Sequence, residues 1–265
     1  MFQLGRLPRK FYPFIPHYSA LTMRREKTLL IPDSCDYTPG LPVDVGMMLN
    51  DAEGDCTCAG VYHARQVLTQ WAAKNIITES DNCVQALYEQ ACGYDPNDPN
   101  TDKGGVEQDV LGYCVNTGFP IGDGTTAEKL LGFFETDPRN TQDVKECIYE
   151  SGLVYIGFEV PRFLMYDAQG NPMTPPDVWD VPAGVDVTDT VGGHCVILPG
   201  YNVAGTYPVI SWGRKYGMTQ AFFDAFVDEV YSFISQDWTD TTGITPIGMT
   251  VADWEAQMAA LKMAG

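Results

Sequence analysis

The chain has 265 residues, 45% of them hydrophobic, enough to bury a real core in one large domain or two small ones. Sixteen Lys and Arg stand against 35 Asp and Glu, a formal charge of −19, which argues against general affinity for nucleic acid or for an anionic membrane. No apolar run reaches the ~20 residues of a membrane span, and the start lacks the apolar core of a signal peptide, so synthesis in a cytoplasm is expected.

Residues 1–40 read as an extended basic and aromatic arm. Up to position 27, Arg6, Arg9, Lys10, Arg24, Arg25 and Lys27 face Glu26 alone, and Pro8, Pro13 and Pro16 interleave with Phe11, Tyr12, Phe14, Ile15 and Tyr18. Proline forbids regular helix there, and the aromatic rings favour burial. The arm is expected either to wrap the acidic body of its own chain or to dock on a neighbouring subunit. It is short for an autoinhibitory segment, so structural packing is the favoured reading.

A domain is expected over 41–238. The polar turn Asn50 to Asp55 delivers Cys56 to the start of a helix whose apolar residues Val61, Ala64, Val67, Leu68, Trp71 and Ala72 recur at helical spacing. Gly54 makes the turn and Asp55 takes the N-cap position. A thiol at that end faces unpaired N–H groups and the positive pole of the helix dipole, which predicts a lowered pKa. Further helices are predicted over Asp81 to Ala91, Val106 to Asn116 with Gly118 as the stop, Thr126 to Phe134, and Thr141 to Glu150. Leu153 to Val160 is a nearly continuous apolar strand, and the Pro-rich stretch Asn171 to Pro182 a surface loop of the kind that rims a cleft. Gly192-Gly193-His194 then feeds a second strand, and Tyr207 to Gly213 reads as its hairpin partner. Thr219 to Ser235 is predicted as an amphipathic helix. Residues 239–265 are read as a linker and a terminal helix over Thr250 to Met263, with Val251, Trp254, Met258 and Leu261 in its apolar row.

A nucleophilic cysteine needs a base, and the chain has three histidines. His17 lies in the arm, and His63 stands two helical turns beyond Cys56, roughly 10 Å by helix rise. His194 remains. Metals fit the spacing poorly: Cys56-x-Cys58 is tighter than structural zinc pairs, and Asp98, Asn100, Asp102 and Asp109 resemble a calcium loop in which Lys103 stands where glycine is needed. No cofactor or metal is expected. The eight cysteines are expected to be reduced in a cytoplasm.

A cysteine opening a helix, Gly-His opening a strand about 140 residues later, and Ser211-Trp212-Gly213 beyond it resemble the papain-like cysteine peptidases. Leu87-Tyr88-Glu89-Gln90, Gly104-Gly105 and the following helix resemble that family's middle segment, so the likeness spans residues 45 to 240. The pattern Asn-Asp-x-x-Gly-Asp-Cys, with Trp-Gly leading to Met-Thr, is similar to papain-like proteins of phages and prophages. The resemblance implies an α+β papain-like fold, with a helical part carrying the Cys helix and an antiparallel β part carrying the His hairpin. It implies Cys56 as nucleophile, His194 as base, and Asn50, six positions earlier than Cys56, as a side-chain donor to the oxyanion. Taking Cys58 instead would put Ala52 at the amide position. The family's orienting asparagine falls at Ile210, which cannot accept a ring N–H, and its tryptophan after the nucleophile falls at Thr57.

Two functions follow. One is a thiol hydrolase cleaving a peptide or peptidoglycan-type amide through Cys56 and His194. The other is a non-catalytic virion structural or attachment protein that meets neighbouring subunits through the arm and the terminal helix.

Overall fold

The computed structural model describes residues 2–13, 15–23 and 29–262. Phe14, Arg24, Arg25, Glu26 and Lys27 of the arm, and Met263, lie outside the described residues, as do the side chains of Met258 and Leu261.

In chain order the elements are α1 (Tyr18–Thr22), β1 (Cys35–Asp36), α2 (Cys56–Ala73), α3 (Asp81–Cys92), α4 (Glu107–Asn116), β2 (Phe119–Ile121), β3 (Thr126–Glu128), β4 (Gly132–Glu135), α5 (Thr141–Ser151), β5 (Val154–Pro161), α6 (Arg162–Met165), β6 (Val178–Trp179), β7 (Thr190–Leu198), β8 (Gly200–Tyr201), β9 (Thr206–Ser211), β10 (Arg214–Thr219), α7 (Gln220–Phe226), β11 (Val227–Ile234) and α8 (Val251–Lys262). Among the described residues, seven strands form one sheet in the order β4-β11-β5-β7-β9-β10-β6, antiparallel except where β6 joins β10. The two-stranded pairs β1-β8 and β2-β3 lie apart from it.

Helix α2 lies at the centre. Every residue from Cys56 to Thr69 is buried, more than the single buried face that the spacing predicts. One side packs on β7 and another on α3 and α4, so even its polar residues are enclosed. Some of its polar groups find partners, while the Thr57 hydroxyl has none: Gln66 Nε2 donates to Val45 O at 2.9 Å, and Tyr155 OH donates to the Thr57 backbone carbonyl at 2.7 Å. Arg65 pairs with Glu128 at 2.7 Å. The helix ends at Lys74, whose left-handed backbone returns its N–H to Thr69 O.

Two predicted helices are corrected. Thr126 to Phe134 is strand β3, a short link and strand β4; neither stretch buries residues at helical spacing, and β2 and β11 offer them ladder partners. Thr219 to Ser235 is helical only to Phe226. Thr219 caps α7 by accepting from the Phe222 N–H at 3.2 Å, and the chain then enters β11 between β4 and β5. Because β11 is covered on both faces, its apolar run carries no alternation and imitates a buried helix.

The arm follows its own body. Arg9 meets Glu135 at 2.6 Å and Lys10 meets Asp109 at 2.5 Å, while the Tyr12 hydroxyl bonds to Asp109 as well. Tyr18 is fully buried, donating to Glu150 at 2.8 Å on α5. At the other end α8 sets Trp254 against Phe134 with ring centroids 6.4 Å apart, so the terminal helix covers its own domain. Among the described residues no helix is long and apolar enough to cross a membrane.

Candidate active site

Cys56 is the first residue of α2 and is buried. Gly54 before it is held by Asp102, whose carboxylate accepts from the Gly54 N–H at 3.0 Å and from Tyr88 OH at 2.7 Å. Asp102 thereby braces the turn before Cys56, and Asp98 is turned onto Asn100 as a local cap. Asp55 holds the N-cap position, but its side chain makes no capping bond. Burial, reinforced by neighbouring Glu53, pushes that carboxyl well above its ordinary range, with the Asn50 amide acting the other way.

The backbone of Cys195 and of Gly5 acts to lower the Cys56 thiol pKa, yet it is pushed up to about 12, mainly by burial. The lowered value expected from the helix terminus is therefore not met in this conformation. Desolvation outweighs both backbone effects, and the Asp55 and Glu107 carboxyls add to it. Cys58 lies beside Cys92 and Cys114. All eight cysteines are free thiols.

His194 sits on β7 opposite Phe158 of β5, fully buried. Its ring stacks on Trp212 at 4.2 Å and 10°, with Phe158 against its edge at 5.9 Å. Nε2 pairs with Ser211 Oγ at 2.8 Å, while Nδ1 is buried without a hydrogen-bond partner. Burial, and secondarily His63, lowers the His194 pKa to about 3, so the ring is neutral. When Ser211 accepts from Nε2–H, the lone pair is left on Nδ1, as a general base requires.

Ser211 was not among the predicted site residues. Ile210 stands where the family comparison put the orienting side chain; it pairs with Ile197 and is buried in the sheet. The hydroxyl one position later does the work because Trp212 and Gly213 both have positive φ, 43° and 74°, turning the chain sharply out of β9. The available sequence signal was a hydroxyl directly before Trp-Gly.

Asn50 is buried in the loop before Cys56, where its Nδ2 donates to Glu53 O at 3.4 Å and its carbonyl accepts from the Gln3 N–H at 3.1 Å. Met48 and Leu49 just before it adopt left-handed φ of 53° and 66°, an uncommon pair of non-glycine residues next to a candidate site. His63 is buried within α2 with Nδ1 on Gln66 Oε1 at 3.1 Å, and His17 bonds to Ser19 in the arm.

Residues 2–7 cross this region as an irregular segment with bridges at Arg6 to Gly193 and Gly105. Arg6 N–H donates to Gly193 O at 3.0 Å, Leu7 N–H to Gly105 O at 2.9 Å, and Gly105 N–H returns to Gly5 O at 2.7 Å. Phe2 stacks on Trp212 at 5.0 Å. The segment thus touches the wall that carries Cys56, the wall that carries His194 and the Gly104-Gly105 turn. A cleft of about 450 Å³ stays open beside it, bordered by Leu4, Met47, Asp51, Met165 and Val191. Among the described residues no group of three or more His, Cys, Asp or Glu side chains is arranged to hold a metal ion.

A cysteine-led helix packed on an antiparallel sheet that carries the histidine is the α+β papain-like fold. Xylellain, a cysteine protease from Xylella fastidiosa, is similar with a TM-score of 0.65 at 15% identity, over 88% of this chain and 96% of that one. Digestive procathepsin L 3 of the Tenebrio molitor larval midgut is similar at 0.58 and 12% identity, over 87% and 75%. The ragweed pollen cysteine protease Amb a 11, in its proform, gives 0.56 and 14%, over 79% and 68%. No protein-family model matches the sequence, and no curated protein matches it.

Proposed function

We propose that the protein is a thiol hydrolase of peptide or related amide bonds, held latent by residues 2–7 of its own chain. The observation that carries this reading is that those residues run past Cys56 and along the His194 strand, with main-chain hydrogen bonds to Asn50, Gly105 and Gly193 as a bound peptide would make. Procathepsin L 3 and the Amb a 11 proform are by their names precursor forms of cysteine proteases, in keeping with latency here.

Once the cleft is clear, His194 takes the proton from Cys56 and the thiolate attacks the carbonyl carbon. The amine leaves with that proton, forming a thioester, and water then releases the acid. Backbone N–H groups at the start of α2, Cys56's own included, face the developing oxyanion. Asn50 joins them only if its amide turns away from Glu53. Ser211 and Trp212 hold the imidazole.

The assembly reading is supported by neither extension, since the arm and α8 are both seated on the body they belong to. The test is a quenched-fluorescence peptide library incubated with the full chain carrying Gly5→Ala, beside the same chain with Cys56→Ala added. Cleavage that vanishes with Cys56 supports hydrolysis. Absence of both turnover and a Cys56 acyl adduct, in protein whose arm is shown to be displaced, refutes it.

A further inference from the structure

The side chain of Arg6 leaves this segment and enters an acidic pocket. It is 1% exposed. Three of its nitrogen positions are answered by carboxylates: Nε by Glu107 Oε1 at 3.7 Å, Nη1 by Glu159 Oε1 at 3.3 Å, and Nη2 by Asp228 Oδ1 at 2.6 Å together with Glu229. Burial works against the charge, but Glu107, Glu229 and Asp228 more than offset it and the guanidinium pKa rises. Glu107 and Glu229 are themselves fully buried, and neither oxygen of Glu107 accepts a conventional hydrogen bond.

The backbone is shaped for this side chain. Asp228 and Glu229 are successive residues of β11, which in a regular strand would point to opposite faces. The register shift between Val227 and Glu229 lets both reach the same nitrogen. Tyr231 OH then fixes Glu229 by donating to Oε2 at 2.7 Å. On β5, Gly157 leaves the space: a Cβ there would stand 2.2 Å from Arg6 Nε. One guanidinium does not need four carboxylates to be neutralised, and two buried ones are costly when it is absent.

We infer that this pocket is the specificity site of the enzyme for an arginine side chain of the substrate, and that Arg6 occupies it as the arm's substitute. The inference rests on the hydrolase reading. The arm's other bonds, to Gly193 and Gly105, use backbone groups that every peptide has, so they hold a substrate without selecting it. Selection falls to the pocket. Arginine is preferred over lysine because Nε, Nη1 and Nη2 each face a different carboxylate, whereas an ammonium is a single point.

The experiment has two arms, both on the full chain. In Arg6→Ala, propylguanidinium is expected to raise the thermal midpoint saturably, with propylurea inert and wild type unaffected. Equal effects of the two compounds, or none, overturn the pocket's chemistry. If Arg6→Ala does not fold, the same judgement is read from the second arm alone.

In Gly5→Ala, peptides with arginine at the position entering the pocket are expected to be cleaved at least ~10-fold better, by kcat/KM, than those with leucine. Asp228→Asn and Glu159→Gln, which change half-exposed members of the pocket, should bring that ratio down about threefold or more. Cleavage indifferent to arginine, or a preference untouched by both substitutions, sinks the inference and leaves the hydrolase standing. Saturable propylguanidinium binding with no peptide cleaved sinks the hydrolase, and the pocket remains a guanidinium site without a substrate role.

Discussion

Adding one methyl group at position 5 should release the arm. An ideal Cβ on Gly5 would stand 1.8 Å from Gly54 O and 2.2 Å from Gly54 C. Neither side can yield cheaply, because Gly54 is tied to Asp102 and Asp102 to Tyr88. Gly5 O is also crowded from the other side, 2.0 Å from where a Gly104 Cβ would be. Gly5→Ala therefore forfeits the main-chain bonds of Gln3, Gly5, Arg6 and Leu7, four bonds at about 1 kcal/mol each. Some 4 kcal/mol corresponds to roughly a thousandfold shift toward the open cleft.

The thiol reports the change. At pH 7.5 a thiol near 12 is ionised to about 3 parts in 100,000, whereas one near ~8.5 is ionised to about one part in ten. Alkylation of Cys56 by iodoacetamide, read by peptide mass spectrometry, should be at least ~100-fold faster in Gly5→Ala than in wild type, even if wild type reacts through transient opening. Less than about threefold acceleration, with trypsin cutting after Arg9 or Lys10 as proof of release, would show that the arm does not suppress the thiol.

Other outcomes follow from single contacts. Ser211→Ala removes the hydroxyl at His194 Nε2 and leaves a buried ring nitrogen unpaired, so the urea midpoint should fall by the equivalent of about 1–3 kcal/mol. In the Gly5→Ala background it should lower kcat more than it raises KM; an unchanged kcat would deny Ser211 its orienting part. His63, lowered to about 4 by burial, stays neutral in the fold while the unfolded chain takes up a proton below its ordinary 6.5. Stability is thus lost as pH falls from 6.5 toward 4, and His63→Gln should flatten the loss between pH 7.5 and 5 by about 2 kcal/mol. Parallel profiles for the two proteins would refute that assignment. The Arg6 pocket adds its own prediction: in Arg6→Ala, propylguanidinium binding should tighten as pH rises, because Glu107, pushed well up by burial and by Glu229, must shed a proton to receive it. Isothermal titration at pH 6 and 8 would show no difference if Glu107 were already ionised.

The sequence carried those parts of the fold that rest on local contrast. Cys56 opening α2, and the helix starting at Asp81, were visible because polar turns precede rows of apolar residues at helical spacing. So were β5 and the hairpin at His194, where turn residues bound apolar runs. Strand β11 was hidden because both of its faces are covered, which erases the alternation that separates strand from helix. Ser211 was hidden for a different reason: counting back from Trp212 assumes a regular strand, and two positive φ angles break it. The arm's place could not be read either. Its charge opposite an acidic body implied that it would wrap the protein, but fitting against Gly54, Gly104 and Gly193 depends on glycines distant in sequence meeting at one crossing. The four carboxylates around Arg6 come from α4, β5 and β11, and no stretch of sequence holds more than two of them.

The two candidate catalytic groups are displaced from working values in opposite directions by one cause. Burial holds the Cys56 thiol near 12 and the His194 imidazole near 3, so moving the proton from sulfur to ring runs uphill by on the order of 10 kcal/mol while the arm is seated. No thiolate–imidazolium pair exists under those conditions, in keeping with the unpartnered Nδ1. Admitting water at each group would relieve its desolvation, lowering the thiol pKa and raising that of the imidazole. On the proposed reading, displacing the segment from Phe2 to Leu7 must also bring the Cys56 sulfur to His194 Nδ1, which has no hydrogen-bond partner while the arm is seated.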